Sequence, residues 1–295
     1  MHVRPLSPAL GAEIVGADLA RPMPDQDFAR VKRALLDHCV LVFRDQHLSP
    51  ERQIAFSRGF GELHIHLLDR YLMKGHPEIL MLTNVKENGQ SIGIGDAGRY
   101  WHSDVSYEAE PPLGSLLYGV EIPPAGGDTL FANMYAAYDA LDEAGKRRVA
   151  DLRARHRYKM ARYRELIDET DRAGAEGDAR LQAVSHPIAR RHPETGRKAL
   201  YVNRGFTIGI EGGAEGGAEG GAEGGNEGPP GPDAEALLAE LLDHVEDPRF
   251  QYRHVWRPRD LVFWDNRCVM HLATPYDPAH TRLMWRTTVK GGRPV

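Results

Sequence analysis

Trp101-His102-Ser103-Asp104 is the segment of this 295-residue chain with the clearest capacity for chemistry. In an extended backbone, side chains two residues apart point to the same face. His102 and Asp104 can therefore offer an imidazole nitrogen and a carboxylate oxygen to one metal ion. Alone the triplet is weak evidence, because an exposed His beside a solvated Asp is its commoner meaning. A third donor changes the weighting. In Asp260–Gly291 the apolar run Leu261–Trp264 reads as a strand leading into a turn, and His271 follows a few residues later. Two histidines and one carboxylate on one face, with the opposite coordination positions open, suit Fe(II) together with a co-substrate and O2.

Arg282 and Arg286 supply the next piece. They are four apart in a strand-like run, an even number, so they project to one face. A planar guanidinium holds a carboxylate through two parallel hydrogen bonds, which a lysine cannot match. Two such groups near a metal suit a dicarboxylate co-substrate and an anionic substrate; the ordinary alternative is an exposed charged strand face.

These groups need a scaffold. Asp25–Cys39 places Phe28, Val31, Leu35 and Leu36 at helical spacing and ends in the strand-like run Cys39–Phe43. A second helix is expected from Ser49 as N-cap, with Pro50 at its first position, toward Phe60. Strands are expected at Ile79–Leu82, Ser115–Ile122, Ala199–Val202, Leu261–Trp264 and Leu283–Val289, and helices at about 134–152 and 234–245. There is no regular βαβ alternation and no Gly-rich phosphate loop. The pattern argues for a β-core decorated with helices and against a doubly wound nucleotide-binding fold.

Composition narrows the function classes. The formal net charge is −5, but residues 211–232 carry five Glu and no Lys or Arg, so the remainder is formally neutral. That excludes a strongly basic nucleic-acid footprint. The same segment, EGGAEGGAEGGAEGGNEGPPGP, offers nothing apolar to bury and reads as a disordered insertion; a metal-binding or partner-binding acidic loop is its functional alternative. Two cysteines rule out a disulfide framework. No apolar run approaches the ~18 residues of a membrane span, and the chain reads as a cytoplasmic protein with no membrane partner.

The chain resembles the taurine dioxygenase/2,4-D dioxygenase (TauD/TfdA) family of Fe(II)- and 2-oxoglutarate-dependent oxygenases. The resemblance covers nearly the whole chain outside the Gly/Glu segment. It is carried by GAEIVGADL, LVFRDQ, FGELHIH, WHSDVSYEAEPP, PPAGGDTLFANMYAAYDAL, LYVNRGFT and WDNRCVMHLATPYD with its trailing arginines. The spacing agrees too: 27 residues from His102 to Thr129, then 11 and 15 from His271 to Arg282 and Arg286. The resemblance implies an α+β fold with a double-stranded β-helix (jelly-roll, cupin-like) core and flanking helices, in one domain over 1–295. It implies Fe(II), 2-oxoglutarate and O2 as cofactors and co-substrates. It makes His102, Asp104 and His271 the iron ligands, Thr129 and Arg282 the pair on the distal carboxylate of 2-oxoglutarate, and Arg286 the arginine near the substrate anion. Related halogenases replace the ligand carboxylate with a small residue. Asp104 therefore implies hydroxylation, or hydroxylation followed by cleavage, of a small anionic molecule, with release of succinate and CO2.

Departures from the family pattern locate the pocket. His66 and Phe206 are retained, but Gly98 stands where taurine dioxygenase has Asn, Asp69 where the family has Tyr, and Ala161-Arg162 where it has Ser-Phe. These changes point away from taurine. Lys159, Arg162 and Arg164 make that loop basic, which suits an anionic substrate or a solvated helix face equally. His64 reads as structural, His186, His192, His254 and His280 as surface residues, Cys268 as packing, and Trp101 and Trp264 as core. A tailoring oxygenase acting on an amino-acid-like or fatty-acyl amine substrate is the alternative within the family, since NVKENGQSIG resembles members that form isonitriles. A non-catalytic metal-binding module is the alternative outside enzymology. Homo-oligomerisation is left open.

Overall fold

In the computed structural model, which describes residues 1–158, 182–211 and 232–295, the run Val40–Phe43 is buried along its whole length. Val40 and Val42 face one core with Leu117, Val262, Trp264 and Met284. Leu41 and Phe43 face a second core with Leu116, Leu261, Phe263 and Val289. A sheet covered on both faces needs apolar residues at every position, so its strands read as continuous runs rather than alternating ones.

That sheet has eight strands in the order His2–Pro5, Ala12–Val15, Val40–Phe43, Leu261–Asp265, Gly114–Glu121, Leu283–Val289, His76–Thr83, Leu72–Met73. One neighbouring pair, Ala12–Val15 with Val40–Phe43, is parallel; the others are antiparallel. Its outer face is covered by the two helices expected near the N-terminus. Asp25–His38 buries Val31, Ala34 and Leu35, and stops where Cys39 turns left-handed (φ 63°) and donates its N–H to the Leu35 carbonyl. Pro50–Arg58 begins where the Ser49 hydroxyl accepts from the Arg52 N–H. Phe28, Phe56, Phe60 and Phe263 join these helices to the sheet through edge-on and tilted ring contacts.

The inner face packs against a three-stranded sheet ordered Gln251–His254, Thr129–Asn133, Val269–Ala273, whose Phe131, Val269 and Met270 share the first core. A further three-stranded sheet orders Val184–Pro187, Arg153–His156 and Thr207–Glu211. The molecule is thus mixed α+β and mostly sheet, and the chemistry-bearing segments meet between its sheets.

Several expectations shift. The helical pattern at 134–152 is two helices, Met134–Asp139 and Glu143–Val149, because the Asp142 carboxylate accepts from the Gly145 N–H and caps a new start. The later helix is Pro232–Val245. Thr129–Asn133, Val269–Ala273 and Gln251–His254 are strands that pattern alone did not identify. His186, His192 and His254 are buried, not on the surface; His280 is exposed as expected. His186 Nε2 lies 3.1 and 3.0 Å from the Ser106 and Glu108 carbonyls, His192 Nε2 lies 3.0 Å from Asp265, and His254 stacks edge-on against Trp256. Beyond Glu211, the Gly/Glu insertion lies outside the described residues up to Pro232, as do Lys159, Ala161, Arg162 and Arg164.

Candidate active site

Two main-chain hydrogen bonds bring the first and third donors together. The His102 N–H donates to the His271 carbonyl at 3.0 Å, and the His271 N–H donates to the His102 carbonyl at 2.7 Å. This antiparallel bridge sets the two imidazoles side by side, with ring centroids 4.1 Å apart. His271 is itself fixed by strand pairing opposite Phe131. The expected extended backbone ends early: Ser103 ties to the Val269 carbonyl at 2.9 Å, Asp104 opens a turn, and Val105 takes φ +53°. The turn still aims the carboxylate at both rings. Asp104 Oδ1 lies 3.7 Å from His102 Nε2, and Oδ2 lies 4.0 Å from His271 Nε2. All three donor atoms lie within 4.8 Å of one another, and all three residues are buried.

The surroundings prepare these atoms for a cation. His102 Nδ1 lies 2.9 Å from the Tyr100 carbonyl, which places its proton there and leaves Nε2 as a free lone pair. Burial, reinforced by His102, pushes His271 well below the usual histidine range, so it is neutral near pH 7. Burial raises the Asp104 carboxyl, but Arg286, His271 and His102 outweigh it and hold the group well below its ordinary value. Arg286 Nη1 donates to Asp104 Oδ1 at 2.6 Å and the Ser115 hydroxyl donates to Oδ2 at 2.7 Å. Asn266 accepts from the Asp104 N–H and the Trp264 indole and donates to Ser115. Sequence reasoning missed Ser115 and Asn266; their signal lay in the WDN segment and in the strand start opposite it. Two neutral-capable imidazoles and an ionised carboxylate, oriented and dry, are a fitting donor set for Fe(II).

A second buried group, His192, Asp265 and Cys268, also gathers three donor types. Its atoms are already used. His192 Nδ1 accepts from the Glu194 and Thr195 N–H groups, and Asp265 is clamped by the Arg267 guanidinium at 2.8 and 2.7 Å. It is a structural ion pair.

Arg282 is buried just before the strand Leu283–Val289, with Nε lacking any hydrogen-bond partner. Burial, with the like charge of Arg99, brings it down to about 10, so it remains cationic at neutral pH. It runs past Gly127, where an added Cβ would lie 3.4 Å from its Nε. Thr129, two residues on, is buried and accepts from the Trp256 indole at 3.0 Å, leaving its own hydroxyl proton to donate.

The cavity beside the three donors is lined by His66, Leu80, Leu82, Ile94, Asp96, Ala97, Gly98, Tyr100, Val105, Tyr107, Tyr158, Phe206 and Arg286. His66 Nδ1 accepts from the Leu68 N–H, so its proton sits on Nε2; burial and Arg286 keep the ring neutral, down to about 3. Phe206 packs edge-on to His102 and Tyr107. Asp69 does not reach this wall: it is exposed in a 3-10 turn whose buried member is Tyr71. Arg162 lies outside the described residues. Gly98 has φ +74°, and a Cβ there would meet His102 Cε1 at 3.1 Å. Gly98→Ala is therefore expected to push the His102 ring out of place and weaken Mn(II) affinity about 10–100-fold, the cost typical of lost ligand orientation; metal titration with the variant checks it.

The model of the family "Taurine catabolism dioxygenase TauD, TfdA family" matches residues 2–288. The chain belongs to the TauD/TfdA family. This dioxygenase is 35% identical to the alpha-ketoglutarate-dependent 2,4-dichlorophenoxyacetate dioxygenase of Cupriavidus pinatubonensis, over 96% of each chain. It is 34% identical to pentalenolactone F synthase of Streptomyces arenae, over 96% of this chain and 93% of the relative. Among solved structures it resembles AAD-2 in complex with Mn(II) and N-oxalylglycine, with a TM-score of 0.76 and 30% identity over 99% of this chain and 98% of that one. The protein is accordingly an enzyme, an Fe(II)- and 2-oxoglutarate-dependent dioxygenase with a small-molecule substrate. Among the described residues, no helix is long and apolar enough to cross a membrane.

Proposed function

We propose that His102, Asp104 and His271 hold the iron of this dioxygenase, and that it hydroxylates, or hydroxylates and cleaves, a small acid with an apolar body. The convergence of three buried donors within 4.8 Å carries the first half of that reading. The cavity supports the second: an apolar wall of Leu80, Leu82, Ile94 and Phe206 faces the cation of Arg286 and the Nε2–H of His66. Arg286 binds Asp104 through one nitrogen, and its Nε has no partner. It can hold the ligand carboxylate in place while attracting a substrate anion. Likeness to an enzyme named for an aryloxyacetate supports an acid of this kind.

Bound together, Fe(II), 2-oxoglutarate and O2 supply the oxidative decarboxylation to succinate and CO2 and the oxidising power for C–H hydroxylation. Arg282 and Thr129 take the distal carboxylate of 2-oxoglutarate, the first as a buried fork and the second as a hydroxyl donor. Phe206, Tyr107 and the aliphatic wall keep water from the reacting carbon, and the acid group of the substrate sets which carbon is presented. The eight-stranded sheet and the sheet centred on Thr129–Asn133 form the two halves of a double-stranded β-helix, in a single domain across 1–295 with the Gly/Glu segment as an insertion.

Likeness to pentalenolactone F synthase favours a second reading, a natural-product tailoring oxygenase. Succinate release across aryloxy acids, alkyl sulfonates, sulfate esters and fatty-acyl amines separates the two. Stimulation by acids with an apolar body is expected; stimulation confined to amines overturns the anion-site reading. Arg282→Leu is expected to raise KM for 2-oxoglutarate about 10–150-fold, the loss of a charged hydrogen-bonding group, with KM for the primary substrate changing little.

A further inference from the structure

We propose that Arg99 is a positioning residue for the co-substrate: a second guanidinium that, with the ring of Tyr276, backs Arg282 and favours a dicarboxylate over a monocarboxylate 2-oxo acid. The inference rests on the assignment of the distal carboxylate site to Arg282.

Two arginines converge on one ring. The Arg99 guanidinium carbon lies 5.1 Å from the Tyr276 centroid, and that of Arg282 lies 5.8 Å from the same centroid. Each contact is a cation–π attraction, stronger where water is excluded. Tyr276 is a fixed platform. Its hydroxyl donates to the Gly95 carbonyl at 3.2 Å, and its backbone bridges Gly126. Gly126 has φ +75°, and a Cβ there would strike the Pro275 carbonyl at 2.5 Å, so the chain passes this point closely. The neighbouring Gly127 lies against Arg282 Nε, and Asn84 accepts from the Arg282 N–H at 2.9 Å. Ring, loop and Arg282 form one packed unit.

Arg99 reaches this unit from the end of a turn in which Gly98 takes φ +74°. Gly98 and Tyr100, its neighbours, line the substrate cavity, whereas Arg99 does not. It points to the Tyr276 side instead. Among the described residues neither Arg99 nor Arg282 has a carboxylate within ion-pair distance, and Arg282 feels Arg99 as a like charge. Two uncompensated cations held near one ring repel in the free protein. An anion with charge at this end relieves that repulsion, while a molecule lacking the distal carboxylate does not. Arg99 therefore selects for the far charge of the co-substrate without touching the metal.

Calorimetry with Mn(II)-loaded full-length protein and N-oxalylglycine tests this. Arg99→Gln is expected to weaken N-oxalylglycine binding about 5- to 20-fold, Arg99→Lys to recover part of it, and high salt to shrink the difference. KM for 2-oxoglutarate should rise by a similar factor while kcat moves less. Affinity for 2-oxovalerate, which lacks the second carboxylate, should be the same in wild type and variant. Unchanged N-oxalylglycine affinity in Arg99→Gln overturns the proposal, and so does equal weakening of both ligands, which marks a merely structural residue. Arg282→Gln separates the two levels: if it binds N-oxalylglycine as wild type does, the carboxylate site itself is misassigned and the role of Arg99 falls with it.

Discussion

Truncation of His102 to alanine is expected to lower succinate formation by on the order of 10³-fold or more, the scale seen when one member of an interdependent catalytic set is lost. Only two protein donors would remain, and equilibrium Mn(II) binding should be lost in parallel. The fold should survive. His102 is tied to His271 through main-chain atoms, which alanine retains, and its ring faces the cavity. Near-UV circular dichroism and a thermal melt close to wild type would show that survival. Undiminished succinate production in the folded variant would overturn the assignment of the iron ligands.

Replacing Arg286 with methionine should give the largest change in stability. Arg286 and Asp104 form an ion pair whose side chains are 10% and 3% exposed. Removing one partner of a buried pair costs about 3–5 kcal/mol, because the other charge is left without compensation. Asp104 would keep the Ser115 hydroxyl but lose the guanidinium, the largest of the effects that together outweigh its burial. The pH dependence follows. In the wild type the Asp104 carboxyl is depressed, so its contribution is present above its unfolded value, near 4, and is lost as pH falls through the lower folded value. In the variant burial dominates and the folded value rises, so lowering the pH favours the folded variant. The gap in Tm should therefore be widest near pH 7 and narrow toward pH 5. Mn(II) should raise the variant's Tm more than the wild type's, since the ion supplies the missing positive charge. A gap that ignores both pH and Mn(II) would mean that Arg286 acts through packing alone.

Strongly local features were legible in the sequence. The helix from Pro50 follows from Ser49 and Pro50, whose roles depend on neighbours three residues away. The strand Leu261–Asp265 follows from an apolar run, and Leu283–Val289 from a stretch of aromatic and β-branched residues. Val269–Ala273 was not legible as a strand, because its residues Val-Met-His-Leu-Ala carry no alternation and its pairing partner, Thr129–Asn133, is 140 residues away. The burial of His186 and His192 escapes the sequence for the same reason: each is held by a partner distant in sequence, Ser106 and Asp265 respectively. Motif position alone puts Asp69 in the pocket, whereas the 3-10 turn directs Tyr71 inward in its place.

By itself the sequence determined which atoms are available for chemistry: the residue types at 102, 104, 271, 282 and 286, and the spacing that matches one family from residue 2 to residue 288. Tertiary structure decided how those atoms act. Asp104 faces both imidazoles because a bridge between His102 and His271 closes across 169 residues and a left-handed Val105 turns the chain there. The carboxylate is ionised because Arg286 reaches it from the strand Leu283–Val289, and Arg99 and Arg282 share one platform because both pack on Tyr276. Ligand type is a property of a residue, but charge state and aim are set by distance and burial, and those exist only once the sheets have closed around the site.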